Sequence, residues 1–335
     1  MSTADQSCCY KTFNFRVKDA TSGKRLAGLA RSVNTVWNFC NEISGKSADR
    51  GPCWITKAQL RDLTKGAGRD LRLPFQVVQE VIDEFIIKRR VRGRPRLRWR
   101  GRRSLGWVPF TNQDISLDGS TAVLRGQRFR LWRHRPIEGR IKSGSFSQDA
   151  RGRWYCNIVC AIECKPLGGA DEIGIDLGLK AVATCSDGTE LEQASFYRDL
   201  EPKLAEAQRK RRKRQVKTIH ATIASRRKDS LHKFSRRLVN QCRRITVGNV
   251  SASKLARTRM AKSVLDAGWS MLRGYFRYKS DHAGVAYLEV DERIQPEPVL
   301  RVEASAAREG WKVLGSGAGC VAIAVPNIIG TSTLR

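Results

Sequence analysis

Asp176 sits within the fifteen-residue stretch Gly174-Ile-Asp-Leu-Gly-Leu-Lys-Ala-Val-Ala-Thr-Cys-Ser-Asp-Gly188. The stretch reads as a strand ending on an acid, a tight glycine turn, a second strand and an Asp-Gly turn. A carboxylate directly after a buried strand is unusual, and a common reason for one is to hold a divalent metal. The same chain carries 63 Lys and Arg against 32 Asp and Glu, a formal net charge of +31 over 335 residues. Self-repulsion of that size opposes folding, so the charge speaks of partners, and a polyanion is the natural one. A metal-binding acid on a basic molecule suggests chemistry on nucleic acid.

Two segments concentrate the cations. Between Lys88 and Arg103, ten of sixteen residues are Lys or Arg. Arg89, Arg90, Arg92, Arg94, Arg96, Arg98 and Arg100 surround Trp99 there. Guanidinium groups with an interleaved aromatic pair with phosphates and stack on bases. The second segment is the run Arg209, Lys210, Arg211, Arg212, Lys213 and Arg214. Against the background of the whole chain it too reads as a phosphate-contacting run.

Other classes are disfavoured. No apolar run approaches the roughly 20 residues that span a bilayer, and residues 1–5 lack the pattern of a signal peptide. A cytoplasmic protein is expected. Ten cysteines are present without a Cys-x-x-Cys pair, so neither a disulfide scaffold nor a zinc site is expected. Cys156, Cys160 and Cys164 share the even-numbered face of Trp154, Ile158 and Ile162, which predicts three core thiols on one strand.

The elements that must position these groups follow from periodicity. Tyr10 to Val17 alternates like a strand. Helices are predicted over Arg25 to Ile43, Ile55 to Leu63 and Pro74 to Arg90, with Pro74 suited to a first turn. Trp107 to Ile162 is a series of short strands punctuated by Asp118-Gly119, Arg125-Gly126 and Gly152, which predicts a small antiparallel barrel or sandwich. Lys165 to Ala170 reads as a linker. Beyond it the pattern is α/β: strands at Ile173 to Ile175, Ala181 to Cys185, Ile245 to Val247 and Val285 to Val290, with helices over Phe196 to Asn240 and Met260 to Lys279.

In that order, Gly174-Ile-Asp-Leu-Gly-Leu-Lys180 with Ser186-Asp-Gly188 resembles the first RuvC motif of TnpB, the transposon-encoded RNA-guided nuclease related to type V CRISPR effectors. Lys262-Ser-Val-Leu-Asp-Ala-Gly-Trp269, Tyr278-Lys279 and Gly284 also resemble that family. The likeness covers roughly residues 8 to 292. It implies an α+β multidomain fold, in which a small antiparallel β-barrel (the wedge) with a helical insertion precedes an RNase H-like (RuvC) α/β domain. The implied divisions are a wedge at 1–30 and 104–165, a helical recognition insertion at 31–103, and a RuvC-like domain at 171–292 with a basic helical insertion at 196–240. The implied partners are a guide RNA and a double-stranded DNA target, in a bacterial cytoplasm and associated with the nucleoid. The implied cofactor is a pair of Mg2+ ions held by an Asp, a Glu and an Asp, with Asp176 matching the first. A zinc ribbon is also implied.

Two departures qualify this. Where the family ends a strand on its second acid, Val247-Gly-Asn-Val250 has Gly248, as in a TnpB subgroup with a Gly-Asn-Val string and a rearranged site. Glu289 or Glu292 is then expected as the relocated second acid. After Arg293, neither the four-cysteine ribbon nor the Arg-Asp-x-Asn-x-Ala motif of the third acid follows, and Cys320 is the one cysteine remaining. In one shifted reading frame, Pro296 to Val302 permits Arg-Thr-Cys-Ser-Ser-Cys-Gly. In the same frame, Cys320 to Ala324 permits Cys-x-x-Cys-Gly, and Asn327 to Arg335 permits His-Asn-Arg-Asp-Val-Asn-x-Ala. The expectation is a frameshift near residues 293–296 that replaces the tail at 293–335, removes the zinc ligands and leaves an impaired nuclease. The alternative is a nuclease-dead, RNA-guided DNA-binding repressor.

Overall fold

The computed structural model describes residues 8–51, 53–164, 169–250, 255, 257–258 and 260–290. The tail at 293–335, Glu292 and the linker residues 165–168 lie outside them.

The first strand, β1 (Cys8–Val17), leads directly into the long helix α1 (Ala20–Arg50). Asp19 caps α1, its Oδ1 accepting from the Ser22 amide at 2.6 Å, which satisfies one of the helix's orphan donors. The helix starts earlier than its apolar stripe predicts, so a boundary at residue 30 falls inside it. Leu26, Val33, Val36, Trp37 and Cys40 form the buried stripe. Two short helices, α2 (Lys57–Leu63) and α3 (Ala67–Asp70), precede α4 (Phe75–Arg92). Thr56 and Gln59 make a reciprocal capping box on α2. Phe85 of α4 meets Trp37 edge-on at 5.3 Å between ring centroids.

The chain then returns to the sheet that β1 began. Strands β2 (Trp107–Thr111), β3 (Ile115–Asp118), β4 (Thr121–Leu124), β5 (Gln127–Trp132), β6 (Arg140–Gln148) and β7 (Trp154–Glu163) join it. The order is β2-β6-β7-β1-β5-β4-β3, a nearly closed antiparallel sheet. The pairs Phe13↔Ile158 and Phe15↔Cys156 set an inward row that alternates with outward polar residues. Cys156 and Cys160 are buried as the alternation predicts. Cys164 is not a core thiol: the antiparallel register brings the start of β1 beside the end of β7, and Cys9 and Cys164 form a disulfide with Cα atoms 5.7 Å apart.

A second hydrophobic cluster begins at Ile173. Its sheet contains β8 (Asp171–Asp176), β9 (Ala181–Cys185), β10 (Glu190–Glu192), β11 (Cys242–Gly248) and β12 (Ala286–Val290) in the order β10-β9-β8-β11-β12. The β8, β11 and β12 strands are parallel, and β9 and β10 are antiparallel additions. Helices α5 (Glu201–Arg209), α6 (Lys213–Gln241), α7 (Ala261–Ala267) and α8 (Trp269–Ala283) complete this half. Phe234 and Leu238 of α6 and Trp269, Leu272 and Phe276 of α8 bury the apolar side of the sheet. Burying each such side chain contributes roughly 1.5–3 kcal/mol.

Two helices that periodicity predicts as continuous are broken. Over 196–240 the chain turns at Lys210–Arg212, where Arg211 takes a φ of 52°. Six adjacent cations are poor helix filler, since like charges at helical spacing repel. The turn also lets α5 pack back on α6. Over 260–279 the break is Gly268, at φ 69°, a left-handed cap that glycine adopts without strain. Beside it the buried Asp266 accepts from Arg227 at 2.7 Å and from the Tyr197 amide at 3.0 Å.

Candidate nucleic-acid and metal site

Asp176 ends β8 with an exposed side chain. The strand register decides its neighbours. Ile175 lies beside Val247, Val247 beside Glu289, and Gly248 beside Val290. Side chains alternate between faces along each strand. Asp176, Gly248 and Val290 therefore share one face, and Glu289 projects from the other. A side chain at position 248 is the one β11 would offer to Asp176, and that position is glycine.

Glu289 is engaged where it stands. It accepts from Arg277 at 2.6 Å and from the Tyr287 hydroxyl at 2.8 Å, with Arg273 at 3.7 Å. Burial pushes its carboxyl up, but the Tyr287 and Arg277 hydrogen bonds and the two guanidinium charges outweigh this and hold it below the usual carboxylate range. Arg273 also donates to Asn249. Asp187, in the turn after β9, is tied to the amide and hydroxyl of Thr189, and the amide bond chiefly holds its carboxyl low.

Among the described residues no cluster of three or more His, Cys, Asp or Glu could hold a metal ion. Mg2+ prefers octahedral oxygen ligation, commonly from carboxylates, waters and substrate phosphates. On the face of Asp176, β11 and β12 place Gly248 and Val290, while Glu172 is held by Arg243 and Arg244 and Glu190 lies two strands away on β10, an arrangement that does not fit a two-ion centre. Glu292 lies outside the described residues.

The predicted phosphate-binding residues divide. Arg90, Arg92, Arg94, Arg98 and Trp99 are exposed, as are Arg209, Lys210, Arg211, Arg212, Lys213 and Arg214. Lys210 is paired with Glu206 at 2.6 Å, and Arg96 with Asp49 at 2.5 Å. Arg89 does not belong to the exposed set. It is 7% exposed, donates to Ser44 Oγ and the Ile55 carbonyl, and lies over the rings of Trp54 and Phe85. The helical phase of α4 turns it inward. Arg100 is largely enclosed as well, 4.1 Å from the Trp37 ring centroid and 5.1 Å from that of Trp107. Burial lowers the pKa of both guanidinium groups.

A larger basic feature is not legible from charge runs. A cleft of about 1640 Å³ lies between the outer face of β1 and β7 and the polar faces of α6 and α8. Arg135, Lys217, Lys228, Lys233, Arg236 and Arg237 line it. Its one acid, Asp149, is bonded to Arg151. The floor is aromatic. His232 stacks on Tyr275 with centroids 3.8 Å apart, and Tyr278 bridges edge-on to Tyr275 and His282. Burial and the nearby charge of Lys279 lower the His232 pKa to about 4, so the ring is neutral near pH 7. Lys279 donates to the His232 carbonyl and to Ser235 Oγ, and burial brings its pKa down to about 8. The signal was a second stripe on α6, with Lys217, Ala221, Ala224, Lys228, His232 and Arg236 at helical spacing opposite Leu231, Phe234 and Leu238.

No helix among the described residues is long and apolar enough to cross a membrane.

Several known proteins are similar to this chain. The family model OrfB_IS605, described as "Probable transposase", matches residues 165–259. A Streptomyces pristinaespiralis protein named "Putative RNA-guided DNA endonuclease" is 26% identical over 256 residues, covering 71% of this chain and 63% of that protein. "Putative RNA-guided DNA endonuclease InsQ" of Escherichia coli K12 is 25% identical over 279 residues, covering 73% of this chain and 68% of its own. The chain thus spans under two thirds of the first relative's length. The cryo-EM structure of a Cas12f1–sgRNA–target DNA complex matches in fold with a TM-score of 0.50 at 10% identity, covering 92% of this chain and 96% of that one. The family model and the two relatives point to one lineage: the chain is similar to IS605 OrfB proteins of the TnpB type, and its fold resembles that of the Cas12f1 chain.

Proposed function

We propose that this chain is an RNA-guided DNA-binding protein of the TnpB type, a copy of an insertion-sequence nuclease whose cutting is impaired. The cleft between the two halves carries the reading. It is long, rich in Lys and Arg and floored by aromatic rings, which suits a guide RNA paired with one strand of a duplex target. A protein that holds such a heteroduplex reads backbone and shape, and leaves sequence to base pairing. In this reading the first sheet with its helical insertion serves as wedge and recognition regions, with the insertion beginning at α1 rather than at residue 31. The second half is the RNase H-like RuvC domain. Asp176 is the acid this reading assigns to magnesium, and the described carboxylates around it do not complete a two-ion centre. The glycine at 248 and the engagement of Glu289 with arginines support impairment.

The test uses the purified full chain with RNA transcribed from the DNA flanking its gene and a duplex matching that RNA. Guide-dependent binding without magnesium-dependent cleavage is expected. Binding indifferent to the guide sequence would sink the RNA-guided reading, and robust cleavage would sink the impairment.

A second reading is a nuclease-dead repressor, and the separation of Glu289 from Asp176 favours it. A reporter whose promoter matches the guide distinguishes the two: repression that depends on the guide supports the repressor, and unchanged transcription supports a decayed nuclease.

A further inference from the structure

The arginine-rich segment after α4 carries no regular secondary structure, yet its backbone is fixed. Asn41 of α1 donates to the Leu97 carbonyl at 2.9 Å and accepts from the Leu97 amide at 2.7 Å. Asn38 does the same for Arg100, at 2.8 Å in both directions. Each carboxamide thus satisfies both main-chain groups of one residue, as a neighbouring strand would. Trp37 Nε1 donates to the Arg98 carbonyl at 3.3 Å, and Ser44 Oγ to the Pro95 carbonyl at 2.8 Å. Residues 37, 38, 41 and 44 share one side of α1, and the segment runs antiparallel to it. Gly45 makes room: a Cβ there would lie 2.7 Å from Arg96 Nε.

This strap presents a specific surface. Trp99 is 56% exposed. Arg92, Arg98 and Arg103 are exposed beside it and make no ion pair among the described residues. Together they line a cleft of about 620 Å³, within the roughly 300–1,000 Å³ range of small-ligand sites. In its wall the enclosed Arg100 has an Nη1 without a hydrogen-bond partner.

We propose that the strap is a preorganised clamp for single-stranded nucleic acid. Trp99 stacks on one unpaired base, Arg92, Arg98 and Arg103 hold the adjoining phosphates, and Asn38 and Asn41 are the positioning residues. The occupant is single-stranded because a duplex hides its base faces except at its ends. Nucleic acid supplies both the aromatic face and the anionic charge that the cleft matches. The proposal rests on the nucleic-acid reading of the chain, and locates within it a contact outside the large cleft.

The test measures binding of the full chain to an unstructured oligonucleotide carrying 2-aminopurine, as RNA and as DNA, and to a blunt duplex of the same sequence. Trp99→Ala should weaken single-strand binding about tenfold, abolish the quenching of 2-aminopurine and leave duplex binding within about twofold. Trp99→Phe should restore most of both signals. Asn38→Ala and Asn41→Ala should each reduce quenching although Trp99 is intact, with a circular dichroism spectrum like wild type. A merely structural role for the asparagines would leave quenching unchanged in the folded variants, and that result overturns the positioning claim. Equal single-strand affinity in wild type and Trp99→Ala overturns the clamp. A wild-type chain that binds neither single strand nor duplex defeats the nucleic-acid reading itself, a separate outcome.

Discussion

At the scale of single residues, strand parity decides which carboxylates can meet. Asp176 and Glu289 are both strand-end acids, and sequence alone makes them equal candidates for one site. The register Ile175–Val247–Glu289 puts them on opposite faces. Two substitutions separate the roles. Gly248→Glu should place a carboxylate on the face of Asp176 and give a measurable gain in Mn2+ affinity by electron paramagnetic resonance. Asp176→Asn in that background should abolish the gain; persistence of the gain would show that the ion sits elsewhere. Glu289→Gln should leave Mn2+ binding unchanged but lower stability by about 1–2 kcal/mol, because Arg273 and Arg277 lose their shared counter-charge. Chemical denaturation reads that loss. Asp176 was legible because an acid after a buried strand stands out. The isolation of Glu289 was not, because a one-residue change of register reverses a side chain's face.

At the scale of elements, the sequence showed where apolar stripes run but not where they stop. The stripe of α1 was clear from Leu26 onward, while its start depended on the Asp19 cap. The break at Gly268 was hidden because a lone glycine inside a helical pattern is often tolerated. It matters because it turns Trp269 into the core, where its Nε1 donates to the Val182 carbonyl at 3.1 Å. Gly268→Ala should cost about 1–2 kcal/mol through left-handed strain, and a Cβ there would also lie 3.0 Å from Arg227 Cδ. A urea midpoint equal to wild type would refute this. The contact between α6 and α8 also has a pH signature. The folded-state pKa of His232 is lowered from 6.5 to about 4. As pH falls through 6.5 the unfolded chain takes up a proton that the folded ring refuses, so stability declines until about pH 4. The ring is partly solvated, which limits the contribution to about 1 kcal/mol. His232→Phe keeps an aromatic ring against Tyr275 and should remove that part of the pH dependence. An identical wild-type and mutant difference at pH 7 and pH 4.5 would contradict the assignment.

At the scale of the whole molecule, the excess of 31 positive charges predicted a polyanion without saying where it lies. Runs of adjacent cations drew the eye to 209–214, yet neighbouring residues on a helix point in different directions, and that run falls at an exposed turn. The cleft gathers cations dispersed along one side of α6, from Lys217 to Arg237, with others from β1 and the β5–β6 connection. Only the packing of the two halves makes them one surface. Salt dependence tests which set contacts phosphate. Each phosphate neutralised contributes about −0.9 to the slope of log K against log salt on duplex DNA, and about −0.7 on single strands. Lys228→Gln with Arg236→Gln should therefore shift the slope by between about 1 and 2 toward zero, and weaken binding alike for every sequence tested. Arg211→Gln with Arg214→Gln, at the turn, should shift it by less than half as much. Equal shifts for the two pairs would mean that charge acts over the whole surface and that the cleft has no privileged role. A larger shift at the turn would place the polyanion there instead.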